Sequence, residues 1–403
     1  MLKSKTVLER GFIMSNNQIT ARLAELKISS KEIQAARLAF FVPGFAISTW
    51  APMIPMVKER LALGADVLGL LLLCIGVSAF VVMPFAGKLG QKWGYQKLLM
   101  LTTILLAFGI IVLPCLPNIL SYAFALALLG AVMGATEVTM NINAVIVEKL
   151  ACRRLMSSMH AFWSIGCFAS AGLFSLLASW GLAVTSIACL HCAIMLAIIA
   201  YTGRHWLPYK AQGGERTFVL PHGIVIIIGV LACISFLVEG AIMDWSGIFL
   251  TEAKQLDLSL AGAGYAIFSI AMLIMRLIGD KVVQLLGEQK AVISGTLLAA
   301  LSFAGLVATN NIYLNALAFI LIGVGCSNVV PVFYSALKEQ KAMPIGEAVT
   351  AVTSLGYTGV ILGPALLGFI AHCINISAVF ELMSILLLIE VLIAKYVFTK
   401  LKI

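Results

Sequence analysis

Residues 119–147 read ILSYAFALALLGAVMGATEVTMNINAVIV, an apolar run whose one charged side chain is Glu137. At about 1.5 Å of rise per residue, a run of this length crosses the roughly 30 Å hydrocarbon core of a bilayer as a single helix. The whole chain has the same character. Of its 403 residues, 61% are hydrophobic and 11% charged, and the mean hydropathy is +1.05. Water-soluble domains carry about 25% charged residues, and a soluble fold of this size could not hide so much apolar surface. Twelve comparable runs are legible, near 33–56, 67–87, 98–116, 119–147, 155–179, 182–203, 224–250, 261–279, 291–309, 312–337, 348–372 and 376–398. The expected fold class is an all-α membrane protein of twelve transmembrane helices.

Basic residues set the expected orientation, because cytoplasmic loops carry the excess of Lys and Arg. With the N-terminus inside, 24 of the 27 basic residues fall on the cytoplasmic side, including Arg276, Lys281 and Lys290. Only Lys58, Arg60 and Lys254 fall outside. Both termini are therefore expected in the cytoplasm. The net charge of +9 does not indicate a nucleic-acid partner, since these residues are scattered singly and form no continuous stripe. The nine cysteines suit neither zinc nor a disulfide framework and read as small buried residues. Residues 1–32 form a polar, cytoplasmic tail without a signal-peptide apolar region, in which Met14 offers a second start.

Sliding the chain along itself by 190–195 positions aligns its halves. Phe-Ala-Ile-Ser-Thr-Trp50 meets Gly-Ala-Ile-Met-Asp-Trp245, Gly94 ahead of Lys97 meets Gly287 ahead of Lys290, Leu-Leu-Gly130 meets Leu-Ile-Gly323, and Ser164-Ile-Gly meets Ser354-Leu-Gly. A shared offset implies parallel six-helix repeats about an axis along the membrane normal. The domains read as a tail (1–32), an N-terminal bundle (33–204), a cytoplasmic linker (205–221) and a C-terminal bundle (222–403).

At this point the chain resembles the major facilitator superfamily, whose six-plus-six layout covers the whole sequence. The superfamily's motif between helices two and three is matched by Gly87, Lys92, Gly94 and Lys97, with Gln91 in place of its acid and Gln96 in place of a basic residue. In the second half Arg276-Leu-Ile-Gly279 survives, while Gln284 and Leu285 stand where an acid and a base would be, so the cytoplasmic latch reads as weakened. Three further stretches are similar to the bacterial YbjJ-type inner-membrane branch near the fucose permeases: Gly134-Ala-Thr-Glu137-Val-Thr-Met-Asn141, Met159-His160-Ala-Phe-Trp-Ser-Ile-Gly166 and Glu239-Gly-Ala-Ile-Met-Asp244-Trp245. The resemblance implies a transporter with a cavity lined by helices one, four, seven and ten.

An ionisable group at bilayer depth is costly and usually faces a cavity. Glu137, with Asn141 one turn on, is a candidate proton carrier or an inter-helix hydrogen-bonding group. Glu239 is a candidate substrate or proton site. Asp244 reads as a gate or helix cap. Trp50 and Trp245 are candidate interfacial anchors or stacking platforms. His160 could pair with Glu137 or merely satisfy a local donor. Asn328 and Tyr357 sit on polar, kinkable stretches of helices ten and eleven, near Pro331 and Pro364. Glu381 and Glu390, nine residues apart, lie on opposite faces of the last helix and read as structural.

There is no phosphate-cradling Gly-Lys-Ser/Thr loop, metal-binding His-Glu-x-x-His or nucleophile elbow, so neither ATP-driven transport nor an enzyme is indicated and no cofactor or metal is expected. The expected function is alternating-access transport of a small polar solute, a sugar or related metabolite, across the inner membrane. Protons are the expected coupling partner, the lipid bilayer the solvent, and the monomer the working unit. The alternatives are a drug or metabolite exporter by proton antiport, and a receptor or scaffold that does not transport.

Overall fold

The structure, a computed structural model, describes residues 28–63, 65–209, 220–257 and 260–401. Most of the N-terminal tail, Met14, and the linker positions 210–219 with Lys210 and Arg216 lie outside the described residues. Twelve long helices follow one another: α1 (Ser30–Trp50), α2 (Ala65–Trp93), α3 (Tyr95–Val112), α4 (Ile119–Ala151), α5 (Met156–Ser179), α6 (Val184–Thr202), α7 (Ile224–Ile248), α8 (Ala263–Leu286), α9 (Glu288–Ala308), α10 (Ile312–Cys326), α11 (Ile345–Cys373) and α12 (Ile376–Leu401). Helical segments Met53–Arg60 and Val329–Ala336 prolong α1 and α10. Ten segments are long and apolar enough to cross a membrane on those criteria alone. The other two, α1 and α8, carry Arg37 and the pair Arg276 and Asp280 within their helices.

Local chemistry explains several boundaries. Ser29 and Glu32 form a capping box at the start of α1, and Asn118 with Ser121 does the same for α4. The break in α10 falls at Ser327–Asn328, so that Pro331 sits in the first turn of the resumed helix, where its missing N–H costs nothing. Along α4, Leu120, Phe124 and Leu128 are 80%, 72% and 56% exposed at a spacing of four. Such a stripe suits lipid and would be untenable in water. Glu381 is exposed and Glu390 fully buried, as their opposite placement on α12 requires.

The internal repeat is realised at the backbone. Gly94 (φ 92°) is the single residue between α2 and α3, and Gly287 (φ 82°) the single residue between α8 and α9. Both dihedrals are in the region that favours glycine. At Gly130 a Cβ would strike the Ile75 carbonyl on α2, and at Gly323 the Phe268 carbonyl on α8. At Gly166 it would strike the Phe41 carbonyl on α1, and at Gly359 the Cys233 carbonyl on α7. These pairs share one sequence offset, which places Gly166 against Gly359 and not against Gly356 as the match of Ser164 with Ser354 implied, and the last four glycines let helix backbones meet closely. The six-helix bundles so formed touch along α2–α11 and α5–α8.

Two expectations are corrected. The stretch holding Gly87, Lys92, Gly94 and Lys97 is no loop: α2 runs to Trp93 and α3 starts at Tyr95. The cysteines are all free, but Cys115, Cys152, Cys189 and Cys373 are exposed: Cys115 and Cys152 sit in turns at helix ends, and Cys189 and Cys373 on outward faces of α6 and α11.

Candidate functional site

Glu137 lies half-buried on α4, where that helix reaches the seam between the bundles. The Tyr357 hydroxyl, from α11 of the other bundle, lies beside its carboxylate. Asn141 Nδ2 donates to the Glu137 carbonyl at 2.9 Å and reaches its Oε2 at 3.5 Å, while Asn141 Oδ1 is buried with no partner among the described residues. The structure thus joins three of the expected site residues, two from one bundle and one from the other.

His160 on α5 does not pair with Glu137. Its ring sits 5.0 Å from Phe40 and 5.9 Å from Tyr334, and its Nε2 is buried without a partner among the described residues. Tyr334, on the α10 extension, shares a 2.9 Å hydrogen bond with Thr353 of α11. His160 therefore meets the opposite bundle through an aromatic face and not through an acid.

Glu239 on α7 is held in an ion pair: Arg276 Nη2 donates to its Oε1 at 3.1 Å. Arg276 Nε also donates to the Ser327 carbonyl at 3.0 Å, where the break in α10 frees that oxygen. Arg276 is therefore no cytoplasmic loop charge. It is 6% exposed inside α8, tying α7, α8 and α10 together. Neighbouring Asn328 is buried, with Nδ2 on Ser327 Oγ at 3.1 Å, and packs against Gly279 of α8 and Ser157 of α5 at the seam.

The outer residues are placed differently from one another. Asp244 is exposed on α7, which continues four residues beyond it to Ile248 and then through a π-helical turn, so Asp244 caps no helix end. Trp245 is half-buried against Gly368 of α11. Trp50 is 2% exposed, its ring 6.2 Å from that of Tyr122. The equivalent sequence positions of the two tryptophans thus become packing positions within their own bundles, which leaves Trp50 no face for a ligand.

Cys167 of α5 marks the middle of the seam. Its thiol lies near Ser48 of α1, and Glu137 and Arg276 lie within electrostatic range of it. Tyr265 of α8, 42% exposed, lies within range of Cys167, Glu239 and Asp244. Groups from both bundles therefore approach one another near the middle of the seam.

On the side that carries the connection between α6 and α7, the linker side, the seam is shut. Lys338 Nζ, from just beyond the α10 extension, donates to Glu148 Oε1 of α4 at 2.7 Å and lies 3.6 Å from Glu288 Oε1 at the start of α9. Arg154 pairs with Glu288 across the seam. The Ser158 N–H, in the first turn of α5, donates to both Asp280 oxygens of α8 at 3.3 Å. Gln91 reaches Glu347 of α11 at 3.5 Å, a marginal contact. Lys92 and Lys97 are exposed. The crossing ion pairs and side-chain hydrogen bonds named here lie towards the linker side. Sequence reasoning missed Glu148, Lys338 and Glu288, which stand near helix ends where charge is ordinary.

A family model, Major Facilitator Superfamily, matches residues 38–341 and 228–402. The chain belongs to the major facilitator superfamily. An uncharacterised MFS-type transporter of Yersinia pestis is 38% identical over 355 residues, covering 88% of this chain and 92% of the relative. The crystal structure of the Escherichia coli fucose:proton symporter superposes with a TM-score of 0.72 at 13% identity, over 91% of this chain and 98% of that one. The human organic anion transporter MFSD10 does so with a TM-score of 0.71 at 16% identity, over 90% and 99%. At such identities the likeness to both solved structures is one of fold. The superfamily chain is thus a multi-pass membrane transporter of the kind that binds small molecules within the membrane.

Proposed function

We propose that this superfamily member is a secondary transporter of a bacterial inner membrane that moves a small polar solute, a sugar or related metabolite, together with protons by alternating access. The observation that carries the reading is the approach of the Tyr357 hydroxyl of one bundle to the Glu137 carboxyl of the other within the membrane. A carboxyl at that depth is expensive unless it serves a cavity. A seam that is polar at mid-depth and latched at one side supports one half of a rocking cycle. In this reading Glu137 takes up and releases the coupling proton, and Tyr357 reports that event to the opposite bundle. Arg276 balances Glu239, whereas no cation pairs with Glu137 or Asp244 among the described residues. That balance favours a neutral or cationic solute. The linker side faces the cytoplasm with both termini, and the monomer is the working unit.

The test begins with a thermal-shift screen of the purified protein against sugars, organic acids, amino acids and dyes, since a ligand that binds only the folded state stabilises it. Stabilisation by dyes alone would favour the exporter reading. In proteoliposomes with the solute so found, the wild type is expected to accumulate it under a pH gradient. Glu137→Gln is expected to exchange solute without accumulating it. Accumulation by Glu137→Gln at the wild-type level would overturn the proton assignment.

A further inference from the structure

Two of the three basic residues expected outside make the same contact, one in each bundle. Beyond Trp50 the chain turns at Ala51–Pro52 and resumes as the helix Met53–Arg60. Arg60 Nη1 donates to the Pro114 carbonyl at 2.5 Å, and its Nη2 to the Leu116 carbonyl at 2.8 Å and the Tyr122 hydroxyl at 2.6 Å. Beyond Ile248, α7 passes into the π-helical turn Phe249–Ala253. Lys254 follows, and its Nζ donates to the Val307 carbonyl at 2.9 Å, the Thr309 carbonyl at 2.7 Å and Asn310 Oδ1 at 3.3 Å. Pro114 and Leu116 lie as far from Val307 and Thr309 in the chain as Gly130 does from Gly323, and Arg60 lies one position further from Lys254. The residue types differ in all three pairs, yet each cation takes two carbonyls where α3 or α9 ends. Carbonyls freed at a helix C-terminus carry partial negative charge, so a cation binds there whatever the side chains are.

We propose that these two cation clamps hold the far ends of α1 and α7 away from the seam and so keep the molecule open on the side opposite the linker. α3 and α9 pack within their own bundles, away from the α2–α11 and α5–α8 boundaries. A tie to either one therefore draws the first helix of its bundle outwards. Both first helices change their path immediately before the tie, one at the Ala51–Pro52 turn and the other at the π-helical turn, and such departures are where a helix bends. The ion pairs across the seam lie towards the linker side, so closure there and opening on the far side are held by separate devices. Closing the far side brings the ends of α1 and α7 together and loosens both clamps. The inference rests on two bundles that rock, and holds whatever solute is carried and whichever ion drives it.

The test places spin labels at Lys58 and Glu252, exposed positions beside the two clamps, in the full chain cleared of its native cysteines. A cation at an exposed helix C-terminus contributes a factor of about three, and two distant clamps multiply to about tenfold. Arg60→Met with Lys254→Met is expected to lower the ratio of far-side-open to far-side-closed molecules by that factor, which shortens the distance distribution. Each single variant is expected to shorten it part-way, and carries the test if the double variant does not fold. Arg60→Lys with Lys254→Arg keeps both charges and, since the repeats already use one of each, is expected to keep the wild-type distribution. No shortening in the Met variants, or equal shortening in the charge-keeping one, would overturn the clamps. Lys338→Met, read by labels at Lys149 and Lys341, separates this failure from a wider one. If it moves the linker-side labels while the Met variants leave the far-side labels in place, the clamps fail and the rocking stands; if neither pair moves, both fail.

Discussion

Replacing Lys338 by Met should swing the molecule open on the linker side. Among the described residues, Lys338 is the cation that touches both Glu148 and Glu288, carboxylates whose side chains are each 1% exposed. Glu148 keeps two other donors, the N–H groups of Leu155 and Met156 at 2.9 Å, and Glu288 keeps Arg154. The substitution therefore weakens the latch without stripping either acid bare. Breaking a buried pair costs about 3–5 kcal/mol, and a hydrogen bond to a charged group contributes about 1.5–3 kcal/mol. The remaining donors place the expectation where these ranges meet, at about 3 kcal/mol. This cost falls on the closed conformer alone, since opening hydrates both carboxylates. At about 1.4 kcal/mol per factor of ten, the ratio of closed to open molecules should fall by roughly 150-fold. Spin labels at Lys149 and Lys341, exposed positions on either side of the seam, report the distance in a background cleared of the nine native cysteines. Lys338→Met should move the distribution to longer distances, and adding Glu148→Gln should restore part of the short one. An unchanged distribution in Lys338→Met would refute the latch.

Three more outcomes follow from the same geometry. Tyr357→Phe removes the hydroxyl that faces Glu137 across the seam and should lower the ratio of closed to open molecules about fivefold, for a net loss of about 1 kcal/mol, with the same label pair as the readout. Arg276→Met leaves Glu239 without its counter-charge and should cost about 3 kcal/mol in thermal unfolding, while Arg276→Met with Glu239→Leu should recover most of it; a single variant as stable as wild type would contradict the pairing. Gly166→Val and Gly359→Val should abolish monodisperse protein alike, because each drives a side chain into the partner helix's carbonyl at repeat-related positions, and normal behaviour of either on size exclusion would count against the close approach.

Much of the architecture was legible because the bilayer dictates it. Apolar runs of spanning length can only be helices, and glycines at a fixed offset had to mark joints and close approaches, as Gly94 and Gly287 do. Asn141 was readable as a companion of Glu137 because residues four apart share a helix face. What crosses the seam was not readable. Tyr357 was readable as a site residue from its polar, kinkable stretch, but not as the neighbour of Glu137, since that role comes from the way α11 docks on α4. Arg276 lies three residues from Gly279, where the expected span ends, so it passed for a loop charge until the pair with Glu239 appeared. Pro331 signalled a disturbance in helix ten, but the break lies ahead of it, where Arg276 takes up the freed Ser327 carbonyl. The repeat also misled at Trp50 and Trp245, since shared ancestry fixes a position in the chain and not its burial.

Native Cys167 offers the most direct measurement, because its thiol sits against Ser48 amid groups of both bundles. In a variant keeping only this cysteine, a membrane-impermeant thiol reagent would be applied to right-side-out and inside-out vesicles. A water-reachable crevice latched on the linker side predicts modification from the opposite side, none from the linker side, and gain of linker-side reactivity when Lys338→Met is added. A thiol that reacts from neither side, or only from the linker side, would contradict it.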